Sequence, residues 1–184
     1  MTLQNMALSG SLLAITKIVV PIDFSASSYV SLDAAMDIAR TFGGGIYLVH
    51  VIPMLPTPQE DAAIGVNFYP EREALQASFR DAKTRLNELV KRVRAAGLEA
   101  GCGVETGNDV VGNILLVLKR EKADMLVIST HGVSGRRAAV FGSIAEKLVR
   151  LVECPLLLLR AAKPAAQKQN DEELEADSLA LQPF

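Results

Sequence analysis

The sequence predicts an α/β protein: a single open five-stranded parallel sheet with helices on both faces. Three observations carry this. Short apolar runs of strand length alternate with longer segments of helical periodicity, an alternation that builds parallel sheets. The runs are nearly continuous in apolar residues, as strands covered on both faces must be. The fourth run, Met125-Leu-Val-Ile128, leads into Ser129-Thr-His-Gly132-Val-Ser-Gly135-Arg-Arg-Ala-Ala-Val-Phe-Gly142-Ser143 and then into a helical segment, Ile144-Ala-Glu-Lys-Leu-Val-Arg150. Strand, glycine-bearing loop and helix are how many α/β proteins hold a phosphate. Glycines let the backbone approach the anion, and the free N–H groups of a helix start point at it.

The elements follow in order. Residues 1–13 read as a flexible leader. Ile15 to Ile22 is the first strand and ends at Asp23. Ser25 to Phe42 places Val30, Ala34, Ala35, Ile38, Ala39 and Phe42 at helical spacing, with Ser25 or Ser27 able to cap it and Gly43-Gly-Gly45 to stop it. Ile46 to Val51 is the second strand, and Pro53, Pro56 and Pro58 open a long loop reaching about Pro70. Residues 71–96 form the longest helical candidate, with Leu75, Phe79, Leu86, Leu89, Val90 and Val93 on one face and charges on the other. Leu98 to Val104 is a weaker third strand. Asp109 caps a helix running to Glu121, with Ile114, Leu115 and Leu118 inward. Ala123 to Ser129 is the fourth strand, 143–152 the last helix and Pro155 to Leu159 the fifth strand. Residues 161–184 mix Ala, Gln, Asn and acidic residues without a sustained apolar face. They read as an acidic, disordered tail, with Leu174, Leu179 and Leu181 leaving a short helix open.

In such sheets ligands sit outside the carboxyl ends of the strands, where the strand order reverses. Asp23, Val51 and Ser129 all fall at strand carboxyl ends, so three separate segments converge on one edge.

Composition narrows the function classes. A length of 184 residues suits one domain, and 49% hydrophobic residues argue against a chain disordered throughout. With 19 basic and 21 acidic residues, the net charge of −2 gives no reason to expect nucleic acid or an anionic membrane as a partner. The tail, with two lysines against five acidic residues, supplies that acidity. Cys102 and Cys154 match no metal or redox spacing and read as buried free thiols of a reducing compartment. Lys17 interrupts the apolar stretch 6–20, and no window reaches the length of a membrane span, so the expected setting is cytoplasmic.

Ser129-x2-Gly132-x9-Gly142-Ser143 resembles the nucleotide-binding signature of the universal stress protein family, Gly-x2-Gly-x9-Gly-Ser/Thr, with Ser129 in place of the first glycine. The resemblance extends through Val20-Pro-Ile-Asp23-Phe-Ser25, Leu48-Val-His50-Val51, Ala123-Asp-Met-Leu-Val-Ile128, Gly142-Ser-Ile-Ala-Glu146 and Cys154-Pro155. It covers about residues 15–160 and assigns 14–160 to a universal stress protein domain of Rossmann-like, adenine nucleotide alpha-hydrolase-like fold. It implies a site for ATP, or AMP or ADP, formed by Pro21, Asp23, Val51, Ser129, His131, Gly132, Gly142, Ser143 and Ile144. In that assignment Asp23 contacts the ribose hydroxyls and the backbone at Val51 reads the adenine edge. Gly132, Gly142, Ser143 and Ile144 hold the phosphates. Any Mg2+ is held mainly through phosphate oxygens and water. Relatives also suggest a homodimer through the last strand, Leu156, Leu157, Leu158 and Leu159, an apolar edge with a physical reason to pair.

Each residue has a structural competitor. Asp23 is able to cap the helix starting near Ser25, Ser143 to be an N-cap alone, and Gly132 and Gly142 to be ordinary turn glycines. His131 lies beside the implied phosphates but has no obvious carboxylate partner for general-base work. His50 reads as a satisfied core histidine. Val133 stands where relatives commonly carry a basic residue, and Arg136 and Arg137 lie in the same loop. The functional expectation is a nucleotide-binding stress-response module acting by binding rather than fast turnover. A nucleotide-free dimeric interaction protein and a slow ATPase are the alternatives. The chain carries no Walker lysine motif, and the lone Asp23, without an aspartate ending the third strand, argues against a phosphoacceptor receiver.

Overall fold

The apolar runs become strands and the periodic segments helices. The computed structural model describes residues 15–54, 70–130 and 142–160. Its elements are β1 (Lys17–Pro21), α1 (Ala26–Phe42), β2 (Gly45–Ile52), α2 (Pro70–Ala95), β3 (Ala100–Thr106), α3 (Val110–Glu121), β4 (Met125–Ser129), α4 (Ser143–Leu151) and β5 (Leu156–Leu159). The expected order of strands and helices is present throughout, with ends displaced by one or two residues.

All strand pairs are parallel, in the order β3-β2-β1-β4-β5. The chain winds outward from β1 to β3, then crosses back to β4 and winds the other way. The order therefore reverses between β1 and β4, where an open α/β sheet leaves a crevice.

Successive strand residues face opposite sides, which divides the core in two. Ile18, Val20 and Leu48 pack with Leu32 and Ala35 of α1 and Leu86 and Val93 of α2. Val19, Val49 and Leu126 pack with Ile114 and Val117 of α3 and Leu148 of α4.

The buried faces of three helices differ in part from the sequence reading. In α1 the buried positions are Ser28, Ser31, Leu32, Ala35, Met36 and Ala39, while Val30 and Phe42 are exposed. The serines are tolerated because Ser28 Oγ donates to Ser25 O at 2.9 Å and Ser31 Oγ to Ser27 O at 3.2 Å. Neither hydroxyl is left unpaired, so burying them is not penalised as for an orphaned polar group. In α2, Phe79 is exposed, and the fully buried residues run only from Ala82 to Val93. Its 26 residues span about 39 Å, whereas the eight of β2 reach about 26 Å, so the first turns overhang the sheet. In α3 Ile114 and Leu118 are buried as expected and Leu115 is half-buried against the same cluster, with Val111 and Val117 joining the inward set.

The sheet is latched at its other end by Asp124. Its Oδ2 accepts from Thr16 N at 2.8 Å, Thr16 Oγ1 at 2.6 Å and Lys17 N at 2.9 Å. These bonds, the Thr16 hydroxyl first, hold the carboxyl below its usual range. The edge strand β3 is covered by α2: Arg94 donates to Ala100 O at 2.7 Å and Lys83 to Cys102 O at 3.3 Å.

Candidate functional site

At the carboxyl end of β1, Ile22 N donates to Val49 O at 2.8 Å, and the chain turns at Asp23. Asp23 Oδ1 accepts from Ser25 N at 3.0 Å and Ser25 Oγ at 2.5 Å. The cap of α1 is Ser25, whose Oγ accepts from Ser28 N at 3.2 Å. Asp23 thus holds the capping residue and is not itself the cap. Between them Phe24 takes a left-handed conformation, φ 63°. Its ring lies 4.7 Å from that of His50, and the Arg85 guanidinium carbon sits 3.8 Å from its centroid. His50 is half-buried, and its Nδ1 is 2.6 Å from Ile22 O, a partner that only accepts.

The carboxyl end of β4 is tied on both sides. Thr130 N donates to Leu159 O at 2.8 Å, and Gly142 N donates to Thr130 O at 2.7 Å. Gly142, not Ser143, occupies the N-cap position of α4, and among the described residues no side chain caps it. The first intrahelical bond is Glu146 N to Gly142 O at 2.9 Å. The amides of Ser143, Ile144 and Ala145 precede it and carry the positive end of the helix dipole. The contrast is local: α1 is closed by Ser25 and α3 by Asp109, whose carboxylate accepts from Gly112 N at 2.9 Å.

These segments enclose a cavity of about 410 Å³ at the switch point, within the range of small-molecule sites. Val49, Val51, Val110, Ile114, Ile128 and Leu148 give it apolar walls, while Asp23, Ser28, Ser129, Thr130 and Ser143 supply polar groups. Of the residues proposed from sequence, Pro21, Asp23, Val51, Ser129, Gly142, Ser143 and Ile144 all line it. His131 and Gly132 lie outside the described residues, as do Val133, Arg136 and Arg137.

Sequence reasoning missed the wall from α3, although Val110 and Ile114 stand four apart on one helix face. It also missed the bracket around Phe24, for which a phenylalanine gives no signal. Cys102 and Cys154 do not line the cavity. Both are free and only half-buried, because each sits at a sheet margin rather than in the core expected from their apolar surroundings. Burial still pushes the Cys154 thiol upward. No group of three metal-ligating side chains occurs among the described residues, and no described helix is long and apolar enough to cross a membrane.

A parallel sheet with a cleft at its switch point, one carboxylate at the end of β1 and the start of α4 facing the same space defines a doubly wound α/β domain. The sequence model of the universal stress protein family matches residues 14–160, and the chain belongs to that family. It is 27% identical over 150 residues to a universal stress protein of Methanocaldococcus jannaschii, covering 80% of this chain and 83% of the relative. The fold is shared with UspA of Lactobacillus plantarum, at a TM-score of 0.67 and 20% identity over 79% of this chain and 98% of that one. It is also shared with a universal stress protein of Archaeoglobus fulgidus solved in complex with dAMP, at 0.55 and 22% over 79% and 98%.

Proposed function

We propose that this protein binds an adenine nucleotide, AMP or ATP, in the switch-point cavity and works as a stress-response module through binding rather than fast turnover. The observation that carries this is the uncapped start of α4 opening onto the same cavity as Asp23. A free helix N-terminus favours an anion, and a carboxylate accepts sugar hydroxyls. The apolar walls between them suit a planar base. The dAMP complex of the Archaeoglobus relative supports the same ligand class. Magnesium, where ATP carries it, is held by phosphate oxygens and water.

A homodimer through β5 belongs to the same reading. In the β4–β5 ladder Leu126 N donates to Pro155 O and Thr130 N to Leu159 O, so the peptide groups of Leu156 and Leu158 face outward. The opposite edge, β3, is covered by Lys83 and Arg94, which favours β5 over β3 as the pairing edge. The setting is cytoplasmic.

Calorimetric titration of purified protein with AMP and with ATP, after acid extraction to detect co-purified nucleotide, tests the reading. Micromolar binding that Gly142→Val abolishes is the expected result. Well-folded protein without binding heat or carried nucleotide overturns it in favour of an interaction module.

A further inference from the structure

The residue that follows Asp23 holds a backbone conformation that a bulky L side chain adopts only when its surroundings enforce it: Phe24, φ 63°. The surroundings are specific. On one side the Phe24 ring meets His50, ring centroids 4.7 Å apart and planes tilted by 41°. On the other the Arg85 guanidinium carbon lies 3.8 Å from the ring centroid, a cation–π distance. His50 is anchored through Nδ1, 2.6 Å from Ile22 O, and Ile22 N is held by Val49 O at 2.8 Å. Asp81, one turn before Arg85 on α2, approaches its guanidinium at 3.8 Å.

Asp23 therefore lies between two fixed neighbours. Ile22 is pinned from β2 on the strand side. Phe24 is gripped on the helix side, which aims Ser25 N and Oγ at Asp23 Oδ1. Were Phe24 to relax to negative φ, the turn would open and these two bonds would not survive together. Arg85 does not line the cavity. Among the described residues it reaches the cavity through the Phe24 ring, by way of the backbone and of His50, which lines the cavity.

We propose that Arg85 and His50 clamp Phe24 in its left-handed conformation and thereby position the Asp23 carboxylate for the ligand. Arg85 and Phe24 are positioning residues, with α2 acting on the site from outside it. The inference rests on the nucleotide reading above.

Glycine adopts positive φ without a clamp, which permits a decisive experiment. AMP affinity is measured by calorimetry, and melting without nucleotide is recorded, for wild type, Arg85→Ala, Phe24→Gly, the double variant and Arg85→Lys. Arg85→Ala is expected to weaken AMP binding about tenfold, and Arg85→Lys, which keeps the cation, less than about threefold. Phe24→Gly is expected to bind within about threefold of wild type, and in that background Arg85→Ala is silent, a non-additivity expected of coupled residues. A merely structural Arg85 would lower the melting temperature equally in both backgrounds and leave affinity unchanged. Binding by wild type with additive or absent effects of Arg85→Ala overturns the clamp alone. A wild type that binds no AMP overturns the nucleotide reading, and the role assigned to the clamp falls with it.

Discussion

Replacing Ser143 by Asp separates the stability of α4 from its proposed role as an anion site. Ser143 is the first helical residue, is exposed at the rim of the cavity and follows a cap position without a side-chain bond. A carboxylate there meets the positive end of the helix dipole and adds about 0.3–1 kcal/mol of stability. For a domain of this size that raises the melting temperature by roughly 1–3 °C. Toward a phosphate the sign reverses. Two unit charges about 5 Å apart at an effective dielectric near 20 repel by about 3 kcal/mol, and salt at an exposed rim leaves roughly half of that. Ser143→Asp should thus melt slightly higher and bind AMP about 10- to 100-fold more weakly. Ser143→Ala, which removes only a hydroxyl donor, should lose about fivefold. Adenosine is the control, because without a phosphate its affinity should not change. Calorimetry with AMP and adenosine, paired with thermal melts, reads all of these. A stabilised Ser143→Asp protein that binds AMP like wild type would refute the placement of an anion at the start of α4.

Three further outcomes are expected. Asp124→Ala removes the shared acceptor of Thr16 N, Thr16 Oγ1 and Lys17 N and should cost about 1–2 kcal/mol, because the half-exposed carboxylate is partly screened. Since hydrogen bonding, led by the Thr16 hydroxyl, lowers its folded-state pKa, this stabilisation is complete above the unfolded carboxylate value near pH ~4 and is lost as pH falls through the lower folded value. Denaturant unfolding at pH 7 and across the acid range should show a gap between wild type and variant that closes below about pH 4. Leu158→Pro deletes an outward-facing N–H while leaving the β4–β5 ladder bonds in place. It should shift a dimer toward monomer in sedimentation without loss of circular dichroism, and unchanged sedimentation would exclude β5 pairing. Gly103→Ala brings a Cβ to 2.7 Å from Tyr47 Oη, and the forced shift should destabilise by about 1–2 kcal/mol in thermal melts.

The succession of strands and helices along the chain was legible because it depends on apolar periodicity and on caps that act locally, whereas the order of the strands in the sheet depends on crossovers between distant segments. Asp109 illustrates this: a cap residue directly before an apolar helix, found accepting from Gly112 N. The errors arose where a polar residue is buried with a local partner. Ser28 and Ser31 were not among the positions read as the buried face, because hydropathy cannot see a hydroxyl returning to its own helix backbone. This rotated the apparent face of α1 and promoted Val30 and Phe42, which are exposed. The strand ends that build the site were readable, since Asp23, Val51 and Ser129 sit where apolar runs stop. The α3 wall and the grip on Phe24 were not, because both depend on distant segments meeting in space. Nothing in Phe24 or Arg85 alone announces a left-handed turn with a cation over its ring.

The cavity is more selective than its shape suggests. In a parallel α/β sheet each helix begins near a strand carboxyl end, so several positive dipole ends crowd one edge. Two of those described are neutralised from within, α1 by Ser25 and α3 by Asp109. Among the described caps, that of α4 has no side-chain bond and lines the cavity, and the cavity's single described carboxylate, Asp23, comes from a different strand end. The site is thus dipolar, with an anion-seeking end on the β4–α4 side and a hydroxyl-accepting end on the β1–α1 side, bridged by valine, isoleucine and leucine side chains. A free sugar would leave the helix amides unanswered, and a free base would bring no hydroxyl to the carboxylate. The proposed nucleoside phosphate would answer both ends while burying its base against the apolar walls. That complementarity, rather than any one glycine of the loop, is the physical argument for the ligand.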